Sequence, residues 1–180
     1  MLSFAIEKYV SEEMLSYLSE RNVVNQSEFQ REFGLTDDKS QAIFKVLYEY
    51  HILASDNTIN NKLFNPKHLS EESIQYICSK LKLCDVSFLL FIQAIPRSID
   101  IYNDGEIPEG LQDLEELGLA YLWNDVYFSS LDFESTRDLG NAFMQHYYSV
   151  NKGKKKPEKD EMHVIVVERF LKSYNERKKC

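Results

Sequence analysis

Residues 36–64 read TDDKSQAIFKVLYEYHILASDNTINNKLF, and this stretch decides how the first part of the chain folds. Thr36 can cap a helix, and the two aspartates after it are stabilised near the positive end of the helix dipole. The apolar residues that follow recur at helical spacing: Ala42, Ile43, Val46, Leu47 and Tyr50. Beyond Ile52 the pattern becomes two short β-prone runs on either side of the turn-forming residues 55–58. The stretch therefore predicts a helix followed by a two-stranded hairpin.

The residues before this stretch predict two more helices and a short strand. Ser11 can cap a first helix, and residues 22–24 are β-prone. A short second helix starts at Asn25 or Ser27 and stops at Gly34. The resulting order is helix, short strand, helix, helix and hairpin. This is the layout of a winged helix-turn-helix domain, in which a tight turn joins the last two helices.

The next part of the chain begins with two further helices. Ser70 can cap the first of them. The second covers residues 86–95, with Asp85 as its expected cap, and it is too hydrophobic on all sides to lie outside a core. A short strand is expected to follow at Ile99 and Ile101.

A helix and a hairpin then recur. Pro108 suits the first position of a helix that ends near Gly118, and residues 119–128 alternate around a turn at Asn124 and Asp125 in the manner of a hairpin. An offset of 67 residues aligns this helix and hairpin with those of the first part. We therefore predict a second winged-helix-like unit.

The last part of the chain is predicted to be helical. Ser135 can cap one helix, and a lysine-rich linker separates it from another at 162–178. The β-branched run at 164–167 would also suit a strand, but the length and the i, i+4 pair of Glu168 and Lys172 favour a helix. The predicted fold class is mainly α with short β-hairpins: a winged-helix-like unit at 1–66, a second one at 67–133, and C-terminal helices at 134–180.

Charge is divided unevenly along the chain. Residues 1–150 contain 11 Lys and Arg against 24 Asp and Glu, whereas residues 151–180 contain 10 against 5. So acidic a body repels the phosphates of nucleic acids. The C-terminal lysines are typical of a solvated linker, and the alternative is a segment that contacts nucleic acid or an acidic partner. The candidate nucleic-acid-binding residues are Lys152, Lys154, Lys155, Lys156 and Lys159.

The helices that would read DNA are poorly suited to it. In DNA-binding winged helices, the second helix of the helix-turn-helix enters the major groove. Here that helix begins with Asp37 and Asp38, the hairpin tip at 55–58 has no Lys or Arg, and the corresponding helix at 109–117 carries four carboxylates. Binding to a duplex requires several phosphates to be neutralised. We therefore expect these units to bind polypeptide rather than DNA.

The sequence shows no recognisable catalytic, cofactor or metal motif. It lacks a G-x-S-x-G elbow, and Gly105 and Gly110 have P-loop spacing without the Lys-Ser/Thr that should follow. The acidic doublets lie mostly in first helical turns, where the helix dipole explains them. The histidines lack zinc-ligand spacing, and the odd number of cysteines, three, indicates reduced thiols. We expect a cytoplasmic protein that is not an enzyme and uses no cofactor or metal.

Aromatic residues are more numerous than a small core requires. Most of them suit core positions, but Tyr and Trp are also favoured anchors of protein interfaces. The preferred partner-binding patch is therefore the hairpin set Tyr121, Trp123 and Tyr127. The apolar stripe of the last helix is a second candidate: Val164, Val167, Leu171 and Tyr174. The longest apolar run has ten positions, against ~18 for a membrane span, so no membrane contact is expected.

The units at 25–64 and 108–131, in an acidic chain without catalytic motifs, resemble a known architecture. It is that of the kleisin-interacting tandem winged-helix subunits of SMC-type ATPase complexes, and the chain is also similar to the small accessory components of bacterial ABC-ATPase anti-phage systems. The resemblance implies a non-catalytic adaptor bound to a larger ATPase. A homodimer is a separate expectation, independent of the resemblance. The alternative function is a winged-helix transcriptional regulator that contacts DNA phosphates through its basic C-terminal tail.

Overall fold

The computed structural model describes residues 4–99, 106–155 and 158–177. This part of the chain is mainly helical and includes a small three-stranded antiparallel sheet. The chain divides into two compact units: unit 1 is Met1–Pro66, and unit 2 is Lys67–Cys180. Of the helices in the described ranges, none has both the length and the apolar character needed to cross a membrane.

The helices of unit 1 begin at predicted caps except the first, which the sequence pattern did not predict. They are α1 (Phe4–Glu7), α2 (Glu12–Ser19), α3 (Gln26–Glu32) and α4 (Asp37–Glu49), and a 3₁₀ turn follows at Asn61–Phe64. The side-chain oxygens of Ser11, Asn25 and Thr36 accept backbone N–H bonds from the first turns of α2, α3 and α4. Gly34, at φ +58°, supplies the left-handed residue that ends α3 and leads into the tight turn before α4.

Short β-contacts and an aromatic core complete unit 1. Antiparallel bridges join Val23 to Thr58 and Leu53 to Ile59, so the returning segment at 58–59 lies between the other two. The buried side chains of the helices and hairpin form one cluster, in which Phe29 meets Phe44 edge to face at 5.5 Å between ring centroids. Burying an apolar side chain of this size contributes about 1.5–3 kcal/mol. The two rings therefore hold α3 and α4 together.

Unit 2 contains five helices and three strands in its described residues. They are α5 (Glu71–Cys78), α6 (Leu83–Ala94), β1 (Arg97–Ser98), α7 (Glu109–Glu116), β2 (Ala120–Trp123), β3 (Val126–Ser129), α8 (Phe133–Val150) and α9 (Glu158–Arg177). The predicted hairpin is confirmed, with Asn124 and Asp125 both at positive φ in a two-residue turn. The strand expected at Ile99 and Ile101 lies earlier, at β1, and Ile101 is outside the described residues.

Helix α6 is the centre of unit 2, as its uniformly apolar sequence predicts. Val86, Leu89 and Leu90 are fully buried, and α7, α8, α9 and β3 all pack against α6. The Tyr174 hydroxyl on α9 donates to the Leu90 carbonyl at 2.8 Å. Residues of the C-terminal helices thus share one hydrophobic core with residues 67–133.

Two helices of unit 2 begin differently from the prediction. Asp85 is the third residue of α6 rather than its cap, because α6 extends back to the buried Leu83, and the Asp85 carboxylate accepts the Lys82 backbone N–H at 2.7 Å. Asp132, rather than Ser135, caps α8 and accepts the Ser135 backbone N–H at 2.6 Å. A carboxylate is a stronger acceptor than a hydroxyl for such an N–H.

The two units have the same strand order. In unit 1 the segment at 58–59 lies between Val23 and Leu53. In unit 2, β3 lies between β1 and β2. In both units the central segment, which is bridged at residues 58–59 in unit 1 and is β3 in unit 2, is the returning arm of a hairpin that directly follows a helix, α4 or α7.

Candidate functional site

An open groove lies along the exposed face of α4 in unit 1. It has a volume of about 330 Å³ and is lined by Gln26, Gln41, Phe44, Lys45, Tyr48 and Glu49. The Phe44 and Tyr48 rings meet edge to face at 6.3 Å, and of the two only Tyr48 has an exposed ring, with 36% exposure against 2% for Phe44. The Tyr48 hydroxyl donates to Asn57 Oδ1 at the hairpin tip, which fixes the ring at the edge of the groove. We name this surface the α4 groove.

The α4 groove is lined by one cation and one anion, and the start of α4 adds further negative charge. The Lys45 ammonium lies 3.8 Å from the Glu49 carboxylate. The first turn of α4 carries exposed Asp37 and Asp38, and the Gln30 amide donates to Asp37 at 2.6 Å. This face therefore offers aromatic and amide groups, not the concentration of cations that phosphate binding requires.

A second groove lies in unit 2, between α5 and the turn that joins α7 to β2. It has a volume of about 440 Å³ and is lined by Lys67, Leu69, Glu72, Ser73, Tyr76, Ile77, Leu117, Gly118 and Leu119. Leu69, Ile77 and Leu117 are half-buried against the core, and Tyr76 is 65% exposed. Gly118, at φ +70°, ends α7 and shapes the turn. We name this surface the α5 groove.

The hairpin residues predicted to bind a partner lie mostly in the interior. Tyr127 is 1% exposed, and its hydroxyl donates to Glu115 at 3.1 Å. Tyr121 is 6% exposed and stacks on Phe128 with 5.4 Å between ring centroids. Trp123 is half-buried and meets Phe128 edge to face. The structure brings these side chains together, but it buries Tyr121 and Tyr127 and leaves Leu122 exposed instead, so the three do not form an open patch.

The apolar stripe of α9 is also buried. Val164, Val167, Leu171 and Tyr174 all belong to the core of unit 2, where α9 packs on α6 and α8. These four residues attach α9 to its own unit. They are not available to a partner while α9 is in place.

The basic segment is exposed where it is described. Lys152, Lys154 and Lys155 lie in the turn between α8 and α9, and none of the described carboxylates forms an ion pair with them. Lys156 and the side chain of Lys159 lie outside the described part of the chain. The described lysines form a small cationic turn.

His68, Asp132 and Ser135 lie together at the start of α8, a combination that also occurs in hydrolases. His68 Nδ1 is 2.7 Å from Asp132 Oδ2 and 3.4 Å from Ser135 Oγ. In a hydrolytic triad the acid and the nucleophile contact opposite ring nitrogens, whereas here both contact Nδ1. Ser135 is buried, and its hydroxyl accepts the Leu69 backbone N–H at 2.8 Å. The cluster therefore fastens residues 67–69 to α8.

Asp85 and Cys84 are the titratable neighbours at the start of α6. Burial raises the pKa of the Asp85 carboxyl, although hydrogen bonds from Lys82 and Cys84 oppose the shift. Burial and the Asp85 charge raise the pKa of the Cys84 thiol, which disfavours the reactive thiolate. In the described ranges, no three or more His, Cys, Asp or Glu side chains are grouped to hold a metal ion.

Sequence reasoning missed the α5 groove. Tyr76 lies beside the apolar stripe of α5, whose Ile74 and Cys78 face the core. An aromatic residue on the polar side of a short helix is a usable signal for exposed apolar surface. The contribution of Leu117 and Gly118 has no such local signal, because it depends on how α7 packs beside α5.

Protein-family models, curated proteins and solved structures were each compared with the chain, and none of the three comparisons gives a match. The function is therefore inferred from the residues and their geometry.

Proposed function

We propose that this chain is a non-catalytic accessory subunit that binds a larger protein partner through winged-helix-like units. In a winged helix that reads DNA, the helix equivalent to α4 enters the major groove. In this chain the exposed face of α4 carries the α4 groove, with its aromatic edge and its mutually compensating charges. That observation carries the proposal, because such a surface suits a polypeptide better than a phosphate backbone.

The strand order supports the winged-helix interpretation of both units. In a winged helix, a strand from before the helix-turn-helix pairs with the returning strand of the wing. The bridge from Val23 to Thr58 supports this pairing in unit 1; in unit 2, β1 pairs with β3, and among the described elements β1 follows α6 and precedes α7. In unit 2 the chain between β1 and α7 includes residues outside the described ranges, so the equivalence there rests on α7 and the sheet.

The partner class we propose is an SMC- or ABC-type ATPase of a bacterial genome-maintenance or anti-phage complex. The support for this class is the architectural resemblance of two small winged-helix-like units in an acidic chain. In such a complex the ATPase carries the nucleotide chemistry, and this chain supplies binding surface. A cytoplasmic location belongs to the same proposal.

Affinity purification of the tagged full chain from its native cells tests the proposal. We expect a stoichiometric protein partner that remains bound after nuclease treatment. Tyr48→Ala should reduce its recovery by about tenfold or more, since exposed aromatic anchors dominate interface energies. Tyr9→Ala, which removes another exposed tyrosine of unit 1, should leave recovery unchanged. Equal recovery with both variants, or no partner at all, contradicts the proposal.

The second candidate function is a DNA-binding regulator, and the cationic turn at Lys152, Lys154 and Lys155 favours it. A regulator of this kind would bind a duplex saturably, and its affinity would fall steeply as salt increases. Replacing the three lysines with Gln would abolish that binding. The accessory-subunit proposal expects no saturable duplex binding at physiological salt, so a salt-titrated anisotropy assay separates the two functions.

A further inference from the structure

We infer that the α5 groove of unit 2 binds an amphipathic helix that carries Lys or Arg beside its apolar stripe. The inference rests on the proposed function, because it gives the chemistry of a second contact with the protein partner. Three features of the α5 groove support this occupant: the apolar lining, the hydrogen bonding of the main chain that borders the groove, and the charges at the rim.

The groove contains apolar surface that unit 2 packs only on one side. Leu69, Ile77 and Leu117 touch the core and remain partly exposed. Tyr76 stands at the rim with 65% of its surface exposed, on a helix whose neighbouring Ile74 is buried. A tyrosine held on a packed helix is a favourable anchor, because little conformational freedom is lost when it is covered. The volume of about 440 Å³ lies within the range of ligand-binding pockets.

The main chain that borders the groove favours a helix over a strand as the occupant. The N–H groups of residues 117–119 all donate to carbonyls of α7. The Gly118 carbonyl accepts from Lys67 Nζ, and the Leu119 carbonyl accepts from the Ser130 N–H. A docking strand would need such groups for its own ladder of hydrogen bonds. A helix satisfies its backbone internally and presents apolar side chains at i, i+4 and i+7.

The charges at the rim favour a basic occupant. Glu72 lines the groove, and Glu71 is the residue before Glu72 on α5. Glu116 is the last residue of α7 and directly precedes Leu117, which lines the groove. None of these three carboxylates forms an ion pair with a described side chain. Two lysines lie nearby and keep their charge, since Lys67 donates to the neutral Gly118 carbonyl and Lys80 lies 5.7 Å from the Tyr76 ring centroid, so the three carboxylates exceed these cations by one.

The wider charge of the unit acts in the same direction. Residues 67–150 contain 5 Lys and Arg against 14 Asp and Glu, and the whole of unit 2, which includes the basic residues 151–180, contains 15 against 19. The resulting field attracts a cationic segment and repels an acidic one. The apolar lining then holds the segment after it arrives.

A peptide-display selection on the full chain tests the inference. The probe is a library of random 16-residue peptides, and enriched peptides are synthesised for fluorescence anisotropy. We expect them to have apolar residues at helical spacing, Lys or Arg beside that stripe, and few acidic residues. Tyr76→Ala should weaken their binding by about tenfold or more. Glu72→Gln combined with Glu116→Gln should weaken it by about threefold and reduce its dependence on salt.

Gln75→Ala is the matched control, because Gln75 is exposed on α5 and does not line the groove. It should change the affinity by less than about twofold. Enriched peptides that are acidic, that bind Tyr76→Ala as well as the wild type, or that shift NMR signals elsewhere would overturn the inference, as would a selection without enrichment. The proposed function has a separate test, because it fails only if Tyr48→Ala retains the partner or no partner is recovered.

Discussion

Asp85 is a fully buried carboxyl in the first turn of α6, where it accepts the Lys82 backbone N–H. Burial raises its pKa above the ordinary value, and the hydrogen bonds from Lys82 and Cys84 only partly oppose this. The folded protein therefore binds the Asp85 proton more tightly than the unfolded chain does. Its contribution to stability consequently decreases as the pH rises above about 4 and through the folded-state pKa.

Asp85→Asn and Asp85→Ala separate the charge from the hydrogen bond. Asp85→Asn keeps an acceptor for the Lys82 N–H and removes a buried charge, so we expect stability equal to or above that of the wild type at pH 7. Asp85→Ala leaves the N–H unsatisfied and should lose about 1–3 kcal/mol. Urea unfolding of both variants measures the difference. Equal losses of stability from the two substitutions would show that the buried Asp85 charge does not destabilise the folded protein.

His68 and Asp132 form a titratable contact at the start of α8. The hydrogen bond and the charge of Asp132 raise the pKa of His68. Burial opposes ionisation of Asp132, but the hydrogen bonds from Ser135 and His68 outweigh it and hold the Asp132 pKa below its ordinary value. The His68 contribution to stability is therefore complete below about pH 6.5 and is lost as the pH rises through the folded-state pKa. The Asp132 contribution is lost as the pH falls through its own lowered pKa.

NMR titration of the His68 ring gives a direct check of this contact. We expect a midpoint above that of an ordinary histidine in the wild type. In Asp132→Asn the midpoint should fall, because the negative charge beside Nδ1 is removed while the side-chain size is kept. Glu134→Gln is the control, since Glu134 acts on His68 only as a weaker, more distant charge. An unchanged midpoint in Asp132→Asn would contradict the contact.

Among the elements, α9 shows how one buried polar group can support an apolar contact. Its stripe packs on α6, and the Tyr174 hydroxyl donates to the Leu90 carbonyl at 2.8 Å. Burial raises the pKa of Tyr174 to about 12, against a smaller opposing effect of the Arg177 charge. Ionisation of Tyr174 is therefore disfavoured in the folded protein, and the stability decreases as the pH rises above about 10.

Tyr174→Phe removes this hydroxyl and preserves the ring. We expect a loss of about 0.5–1.5 kcal/mol, the net value of a buried hydrogen bond. Tyr148→Phe is the matched control, because the Tyr148 hydroxyl also contacts a residue of α9, Glu168, at an exposed position. Its loss should be below about 0.5 kcal/mol. If chemical denaturation gives equal losses for both, the buried bond does not hold α9 on α6.

Local signals predict the elements better than they predict their surroundings. The caps at Ser11, Thr36 and Ser70 and the turn at Asn124 are each determined by a few neighbouring residues, and the structure confirms them. The apolar stripe of α9 was also evident in the sequence. Its periodicity shows that one face must be covered, but it does not distinguish cover by α6 from cover by a partner.

The same limit explains what the sequence did not predict about the candidate sites. Alternation in the hairpin separates Tyr121 from Tyr127, but it does not show that both faces are buried. The α5 groove joins residues near position 70 to residues near position 117, so only the tertiary packing reveals it. The sequence pattern likewise placed Ala42 on the buried face of α4, but Ala42 is exposed and Phe44 is buried there. The Phe44 ring fills the space beside Phe29.

For the whole molecule, the distribution of charge decides between protein and nucleic acid as the partner. Residues 1–150 are strongly acidic, and among the described residues Lys152, Lys154 and Lys155 form a local group of exposed cations in one turn. A single small cationic turn neutralises few phosphates, and so it gives weak, salt-sensitive binding at most. The α4 groove offers aromatic and amide groups, whose contacts with a polypeptide do not depend on neutralising phosphates.

Replacing Lys152, Lys154 and Lys155 together with Gln tests this view of the charge. We expect recovery of the protein partner to be unchanged, and stability to stay within about 0.5 kcal/mol of the wild type, because these side chains are exposed. Co-purification before and after nuclease treatment, with urea unfolding, measures both quantities. Loss of the partner in the triple variant would indicate that the cationic turn, and not the α4 groove, is the binding site.

Photo-crosslinking from position 48 tests the central claim most directly. A benzoylphenylalanine in place of Tyr48, in the full chain and in its native cells, reports what touches the α4 groove. We expect a discrete adduct with a polypeptide that resists nuclease and is absent when the same group replaces Tyr9, which is 52% exposed. An adduct that nuclease removes, or equal crosslinking from both positions, would contradict that claim.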